Sequence, residues 1–230
     1  MNGTTPARPR LVVLISGQGR NLQAILEAVR DGRIPAELAA VVSNNADAAG
    51  LERARKAGVP TVVVSHRDYG TREHFDAALA QAVERFGPRL VALAGFMRIL
   101  GEGFTGRFPG RLLNIHPSLL PRYPGMMTHQ RALAARDAEH GASVHYVTQE
   151  LDGGPVVIQG RLTVAPQDTE QTLADRVMQD IELKIYPQAL AWVARGELRC
   201  EFQQGHAQAW FRGRPLDRPL TLADLEAPFR

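Results

Sequence analysis

Asn114 and His116, in the stretch "RLLNIHPSLLPRYPG" (111–125), are of residue types that can polarise a carbonyl. Two positions apart on an extended strand, their side chains point to the same side. An amide N–H and an imidazolium N–H converging on one oxygen are what an oxyanion requires, and removing one such donor raises a barrier by on the order of 3 kcal/mol. The same pair also fits a turn-capping asparagine beside a structural histidine, the commoner use of so short a motif. Pro117, Pro121 and Pro124 follow, so the connection after the strand reads as one that is held still. A carboxylate comes from "VHYVTQELDGGPVV" (144–157), where Asp152 sits on a bend next to Gly153 and Gly154. Placed behind His116 it would orient the ring and favour the charged form. Asp-Gly is equally a hairpin signal. His145, in the preceding strand, faces the site or the core depending on register.

A second kind of chemistry is offered by "SGQGRN" (16–21), between an apolar run and a helical pattern. Gly17 and Gly19 can take positive φ and expose backbone N–H groups, and the N-terminus of the following helix favours an anion. A phosphate fits there, although the glycines also suit a plain tight turn. The dinucleotide pattern requires a third glycine at position 22, which is Leu22, so NAD binding is disfavoured.

The elements that must position these residues alternate along the chain. Apolar runs at 10–16, 38–44, 60–65, 89–96, 111–116, 142–151 and 155–164 read as strands. Helical patterns follow the first three: Leu22, Ile25, Leu26 and Val29 fall at helical spacing before Gly32, and further patterns cover "AAGLERARKAG" and 71–87. A long helix is expected over 169–196, with Pro187 as a kink. Strand alternating with helix predicts an α/β fold with a mostly parallel central sheet and helices on both faces. One domain over 10–198 is the simplest division, with a flexible leader at 1–9 and a tail at 199–230 that suits an added hairpin.

Composition narrows the function classes. At 230 residues the chain can bury a sizeable core, and no apolar run approaches the roughly 20 residues that span a bilayer. The first ten residues lack the apolar core of a signal peptide. Cys200 is the single cysteine, which excludes a disulfide framework and fits a reducing cytoplasm. A formal net charge of +3, with no block of five or more Lys/Arg, fits anionic small molecules better than nucleic acid.

"LISGQGRNLQAI", "VVSNNADAAGLERARKAGVP", "LAGFMRIL", "LLNIHPSLLPRYPG" and "GASVHYVTQELDGGPVV" together resemble the folate-dependent formyltransferases. The similarity runs from about Leu11 to Trp192. Asn-x-His-Pro-Ser and the later Asp belong to the wider family; the Gly-x-Gly-x-Asn loop and "GFMRIL" point to the branch that acts on glycinamide ribonucleotide. The resemblance implies a Rossmann-like formyltransferase fold. It also implies transfer of a formyl group from 10-formyltetrahydrofolate to the substrate amine in purine biosynthesis, without a metal.

Residue by residue, the resemblance places Asn114, His116 and Asp152 at the catalytic positions, with His145 and Ser118 in support. It places Gly17, Gln18, Gly19, Arg20 and Asn21 at the phosphate, and Glu182 at the glycinamide substrate. Arg72, Met97, Arg98, Ile99, Leu100, Asn114 and Val147 match the folate positions. The family carries a small hydroxyl residue where this chain has Arg20, so that guanidinium either joins the phosphate or points to solvent. The helix before "IYP" is one residue longer than the family pattern, and Glu182 is assigned from the nearby Tyr-Pro. Small-molecule substrates, no nucleic acid, no membrane, and a monomer or homodimer in the cytoplasm are expected. A methionyl-tRNA formyltransferase would need a further domain, and a 10-formyltetrahydrofolate hydrolase would have no use for the phosphate loop. A non-catalytic folate-binding protein would not need the Asn, His and Asp set.

Overall fold

The computed structural model describes residues 7–203 and 205–230. Residues 1–6, most of the expected leader, lie outside the described part. Five strands run parallel: β1 (Arg10–Ile15), β2 (Glu37–Ser43), β3 (Thr61–Val63), β4 (Leu90–Leu93) and β5 (Leu112–His116). Two more, β6 (Glu139–Tyr146) and β7 (Val156–Thr163), complete the sheet by antiparallel pairing. The order is β3-β2-β1-β4-β5-β6-β7. Chain order therefore reverses between β1 and β4, which places a ligand crevice outside the carboxyl ends of those two strands.

Helices α1 (Arg20–Arg30), α2 (Ala49–Lys56), α3 (Arg72–Glu84) and α4 (Glu102–Thr105) follow the first four strands. α5 (Thr128–Ala134) precedes β6, and α6 (Glu170–Val177) and α7 (Leu183–Ala194) follow β7. Strand alternation sorts the core into two layers. Leu11, Val13 and Ile15 of β1 pack with Leu22 and Ile25 of α1, Leu51 of α2 and Leu190 of α7. Val12 and Leu14 face the other way, into Phe75 and Leu79 of α3 and Phe104 of α4. β1 is buried from Leu11 to Ile15, as a parallel strand covered on both faces must be. Each such side chain contributes about 1.5–3 kcal/mol of apolar burial, which makes the sheet a rigid base for its loops.

Three expectations are corrected. The strand expected over 142–151 begins at Glu139 and stops at Tyr146, and a loop from 147 to 155 takes its place. Gly154 explains the stop: a Cβ there would lie 1.9 Å from the Tyr146 carbonyl oxygen, so the returning chain crosses the strand end too closely for any side chain. The long helix is interrupted by a π turn at Met178–Glu182, one turn before Pro187, which itself sits inside α7. A π turn takes up an extra residue while keeping the rod continuous. The run at 89–96 is a strand only over Leu90–Leu93, because β4 gives way to Gly95 at φ 73.

Beyond α7 the chain forms β8 (Leu198–Gln203), β9 (His206–Phe211) and β10 (Arg214–Pro215), a second, antiparallel sheet. Leu198 and Ala209 join the main core, and the Phe211 ring meets Trp192 edge-on at 5.0 Å. Among the described residues no helix is long and apolar enough to cross a membrane, and no group of three His, Cys, Asp or Glu is placed to hold a metal.

Candidate active site

β5 turns its even-numbered residues toward the face covered by α3 and α4. Leu112 is core there, whereas Asn114 and His116 lie nearer the strand's carboxyl end. Register decides what they meet. β6 pairs antiparallel with β5 so that His145 stands directly opposite Asn114, and Ser143 opposite His116. His145 therefore faces the site, which the sequence alone left open.

The side chains form one network. His145 Nδ1 lies 3.0 Å from the Tyr146 carbonyl and donates to it, so Nε2 offers its lone pair to Asn114 Nδ2 at 3.1 Å. That bond uses one of the two amide hydrogens of Asn114 and fixes the direction of the other. His116 Nε2 donates to the Tyr123 carbonyl at 2.8 Å, which turns Nδ1 toward Asp152 Oδ2, 3.5 Å away. Asp152 Oδ1 is 3.5 Å from His145 Nε2, and the Gly125 N–H donates to Oδ2 at 2.8 Å. Asp152 holds φ 51, a left-handed conformation that residues other than glycine seldom adopt.

The electrostatics set two influences on His116 against each other. Burial is the largest influence on His116 and carries its pKa below the usual 6.5, although the Tyr123 carbonyl and the Asp152 charge pull upward. Asp152 therefore favours the imidazolium, as expected, but does not outweigh desolvation. The Asp152 carboxyl is itself held below its usual range: burial pushes it up, and the His145 ring, which turns a donor toward Oδ1 when it is charged, the Gly125 N–H and the charge of the two imidazoles more than offset that. A proton placed on His116 Nδ1 thus has an ionised partner facing it.

The proline-rich connection after β5 is stiff because its polar groups are bound. Ser118, fully buried, donates to the Arg122 carbonyl at 2.6 Å; Ser143 Oγ donates to the Ser118 carbonyl at 2.6 Å; Gln159 donates to the Leu120 carbonyl at 2.7 Å. Arg131 donates to the Pro124 carbonyl at 2.6 Å and stacks over the Tyr123 ring. The loop returns Tyr123 and Gly125 to the two atoms that orient His116 and Asp152.

The glycine loop, 16–21, leaves β1 at the same end of the sheet. Gly19, at φ 73, caps α1, and no acidic residue occupies the helix's first turn. Gly19 also lies against α2: a Cβ there would be 2.8 Å from the Gly50 Cα. Gly17 and Gln18 are exposed, while Asn21 is buried and donates to Glu182 Oε2 at 2.7 Å. Burial raises the Glu182 carboxyl above its usual range, with the Asn21 bond opposing. Asn21 Oδ1 is buried with no hydrogen-bond partner among the described residues. Arg20 neither points freely to solvent nor turns inward; it pairs with Asp175 of α6 at 2.8 Å.

The segment after β4 makes the opposite wall. Met97 and Ile99 are 70% and 58% exposed, large apolar side chains left uncovered beside a crevice, and Arg98 is exposed with them. Leu100, at 8%, packs in the core with Phe96 and Phe104. Val147 is half-buried at the end of β6, and Arg72 opens α3 close to Gly101. Met126, Met127 and Leu151 add further exposed apolar surface. Such a surface suits a flat, partly aromatic ligand. The two methionines fall just past the proline connection, and nothing in their spacing singled them out.

The family described as formyl transferase matches residues 9–190. The phosphoribosylglycinamide formyltransferase of Escherichia coli (strain K12) is 48% identical over 214 residues, spanning 93% of this chain and 99% of that protein. The trifunctional purine biosynthetic protein adenosine-3 of Homo sapiens is 42% identical over 192 residues, 84% of this chain but 19% of that protein. Among solved structures, the phosphoribosylglycinamide formyltransferase of Coxiella burnetii superposes with a TM-score of 0.85 at 46% identity, covering 93% of this chain and 99% of that one.

Proposed function

The chain belongs to the formyl transferase family, and from that premise we propose that it carries out the reaction for which its near relatives are named. It transfers a formyl group to the amine of 5-phosphoribosylglycinamide, and 10-formyltetrahydrofolate is the donor. The observation that carries the reading is the Asn114, His116 and Asp152 network at the carboxyl end of β5, between a glycine loop and an exposed apolar wall.

Each residue then has a stated task. The exposed amides of the glycine loop and the N-terminus of α1 hold the phosphate. Glu182, kept in place by Asn21, meets the polar part of the ribonucleotide. Met97, Ile99 and Val147 cover the apolar part of the folate, with Arg72 and Arg98 at its edge. The donor supplies an activated formyl carbon. As the amine adds there and the bond to the folate nitrogen breaks, the amine loses one proton and the folate nitrogen gains one.

Asn114 directs its free N–H at the formyl oxygen. Negative charge developing beside His116 adds to that of Asp152 and favours the protonated ring against the desolvation that lowers its pKa; that proton comes from solvent and is given back as the negative charge is lost. His145 fixes the Asn114 amide, and Ser118 fixes the connection that carries Tyr123. Asp152 also helps pass the proton from the amine toward the folate nitrogen. The enzyme works on small molecules in the cytoplasm, as a monomer or homodimer.

Purified protein supplied with 10-formyltetrahydrofolate and, separately, 5-phosphoribosylglycinamide, initiator tRNA or water alone tests the assignment. Tetrahydrofolate release is expected only with the ribonucleotide. Release at the same rate in water would instead indicate a hydrolase.

A further inference from the structure

Ser16 is the residue through which the two substrate loops touch. It follows directly on β1 at the point where strand order reverses, so the end of β4 is its neighbour. Its backbone N–H donates to the Gly95 carbonyl at 3.1 Å. Its hydroxyl accepts the Met97 N–H at 2.8 Å and donates to Asn44 Oδ1 at 2.5 Å. Asn44 is buried, and its Nδ2 lies 3.2 Å from His66 Nδ1. The hydroxyl proton is therefore committed to Asn44, which aims the oxygen lone pairs at Met97.

What lies on either side gives this contact its meaning. The next residue along, Gly17, opens the phosphate loop; its carbonyl accepts the Gly50 N–H at 3.0 Å, and Arg53 Nε donates to the Gln18 carbonyl at 2.9 Å. Met97 opens the exposed apolar wall, whose far end is tied by the Gly101 N–H to Asp76 Oδ2 at 2.7 Å. One tether of the wall thus belongs to the rigid α3, and the other belongs to the phosphate loop.

We propose that Ser16 is a positioning residue that couples the two sites, so that a ligand ordering the phosphate loop also orders the folate-facing wall and the two substrates bind cooperatively. The physical basis is shared ordering: whichever ligand binds first removes part of the freedom that the second would otherwise have to remove. The proposal rests on the assignment of the two loops given above. By linkage, the ribonucleotide must tighten the folate by the same factor as the folate tightens the ribonucleotide.

The test uses tetrahydrofolate and 5-phosphoribosylglycinamide, which do not react with each other, in titration calorimetry of each ligand alone and with the other saturating. Wild type is expected to show a coupling factor of roughly tenfold, equal in both directions. Ser16→Ala should bring the factor close to one and change each ligand's lone affinity far less, with Ser16→Thr restoring the coupling. The Met97 amide signal in NMR should shift when the ribonucleotide binds wild type and stay put in Ser16→Ala. If Ser16→Ala fails to fold, Asn44→Ala, which releases the hydroxyl rotor, should weaken the coupling in its place.

Coupling that persists in these variants, or that is absent from wild type, overturns the proposal. Equal losses of both lone affinities together with melting temperature would do so as well, because they would mark a purely structural role. The loop assignment fails separately: in that case Gly19→Val would leave ribonucleotide affinity unaffected.

Discussion

Replacing Asn114 with alanine removes the donor on which the proposed chemistry depends, and the structure sets the size of the expected effect. The Asn114 amide has two N–H groups, one of them given to His145 Nε2 at 3.1 Å, so a single directed donor remains for the formyl oxygen. Loss of one such donor lowers kcat by about 10² to 10³, equivalent to roughly 3–4 kcal/mol in the barrier. The substitution also strips the buried His145 Nε2 of its donor, at about 1–3 kcal/mol of stability. Melting temperature should therefore fall by a few degrees while the protein stays folded. Single-turnover formyl transfer measures the rate, and calorimetry with tetrahydrofolate measures binding, which should change much less than the rate. Asn114→Asp is the sharper contrast. It keeps the shape but presents a negative acceptor to an oxygen gaining negative charge, so it should be slower than the alanine variant. A rate loss below about tenfold in Asn114→Ala, or an aspartate variant faster than alanine, would refute the donor role.

Gly19→Val should abolish ribonucleotide binding while tetrahydrofolate alone still binds, because the new Cβ meets the Gly50 backbone at 2.8 Å and displaces the loop; calorimetry with each ligand checks this. Ile99→Asp should remove folate binding without unfolding the protein, since Ile99 is 58% exposed, whereas Leu100→Asp at 8% exposure should depress the melting temperature as well; circular dichroism and calorimetry separate the two. Acidification should destabilise the fold through the buried His140, whose pKa burial and the neighbouring His129 lower to about 4. The unfolded chain takes up a proton near pH 6.5 and the folded chain does not until about pH 4, so the neutral-ring stability is complete above the first value and is lost on descent between the two. At pH 5 that amounts to about 2 kcal/mol, and melting curves of His140→Asn should show a flatter pH dependence than wild type.

Much of the fold was legible because its signals are local. Apolar runs separated by helical spacing gave the alternation, and the two-residue offset placed Asn114 and His116 on one side of a strand. Asp152 was visible as a carboxylate on a glycine-rich bend. What remained hidden depends on pairings between distant residues. The direction of His145 follows from β6 lying antiparallel to β5, 31 positions away, and the Arg20 partner, Asp175, is 155 positions away. Ser16 looked like the last residue of a strand, and its importance emerges only where β1 and β4 become neighbours. The net direction of the His116 shift was out of reach for a similar reason: attraction to a carboxylate can be read from residue types, but the desolvation that outweighs it depends on how Tyr123, His145 and Asp152 close around the ring.

The central claim is that Asp152, acting through His116, controls transfer of the formyl group. The single-turnover rate of 5-phosphoribosylglycinamide formylation, followed across pH in wild type and Asp152→Asn, tests it most directly. Wild type should give a bell, rising as the neutral amine and the Asp152 carboxylate form and falling as the His116 proton is lost. In Asp152→Asn the charge that pulls the His116 pKa upward is gone and burial acts with less opposition, so the falling limb should move toward acid and the maximum rate should drop sharply. Superimposable profiles of equal height for the two proteins would contradict the account.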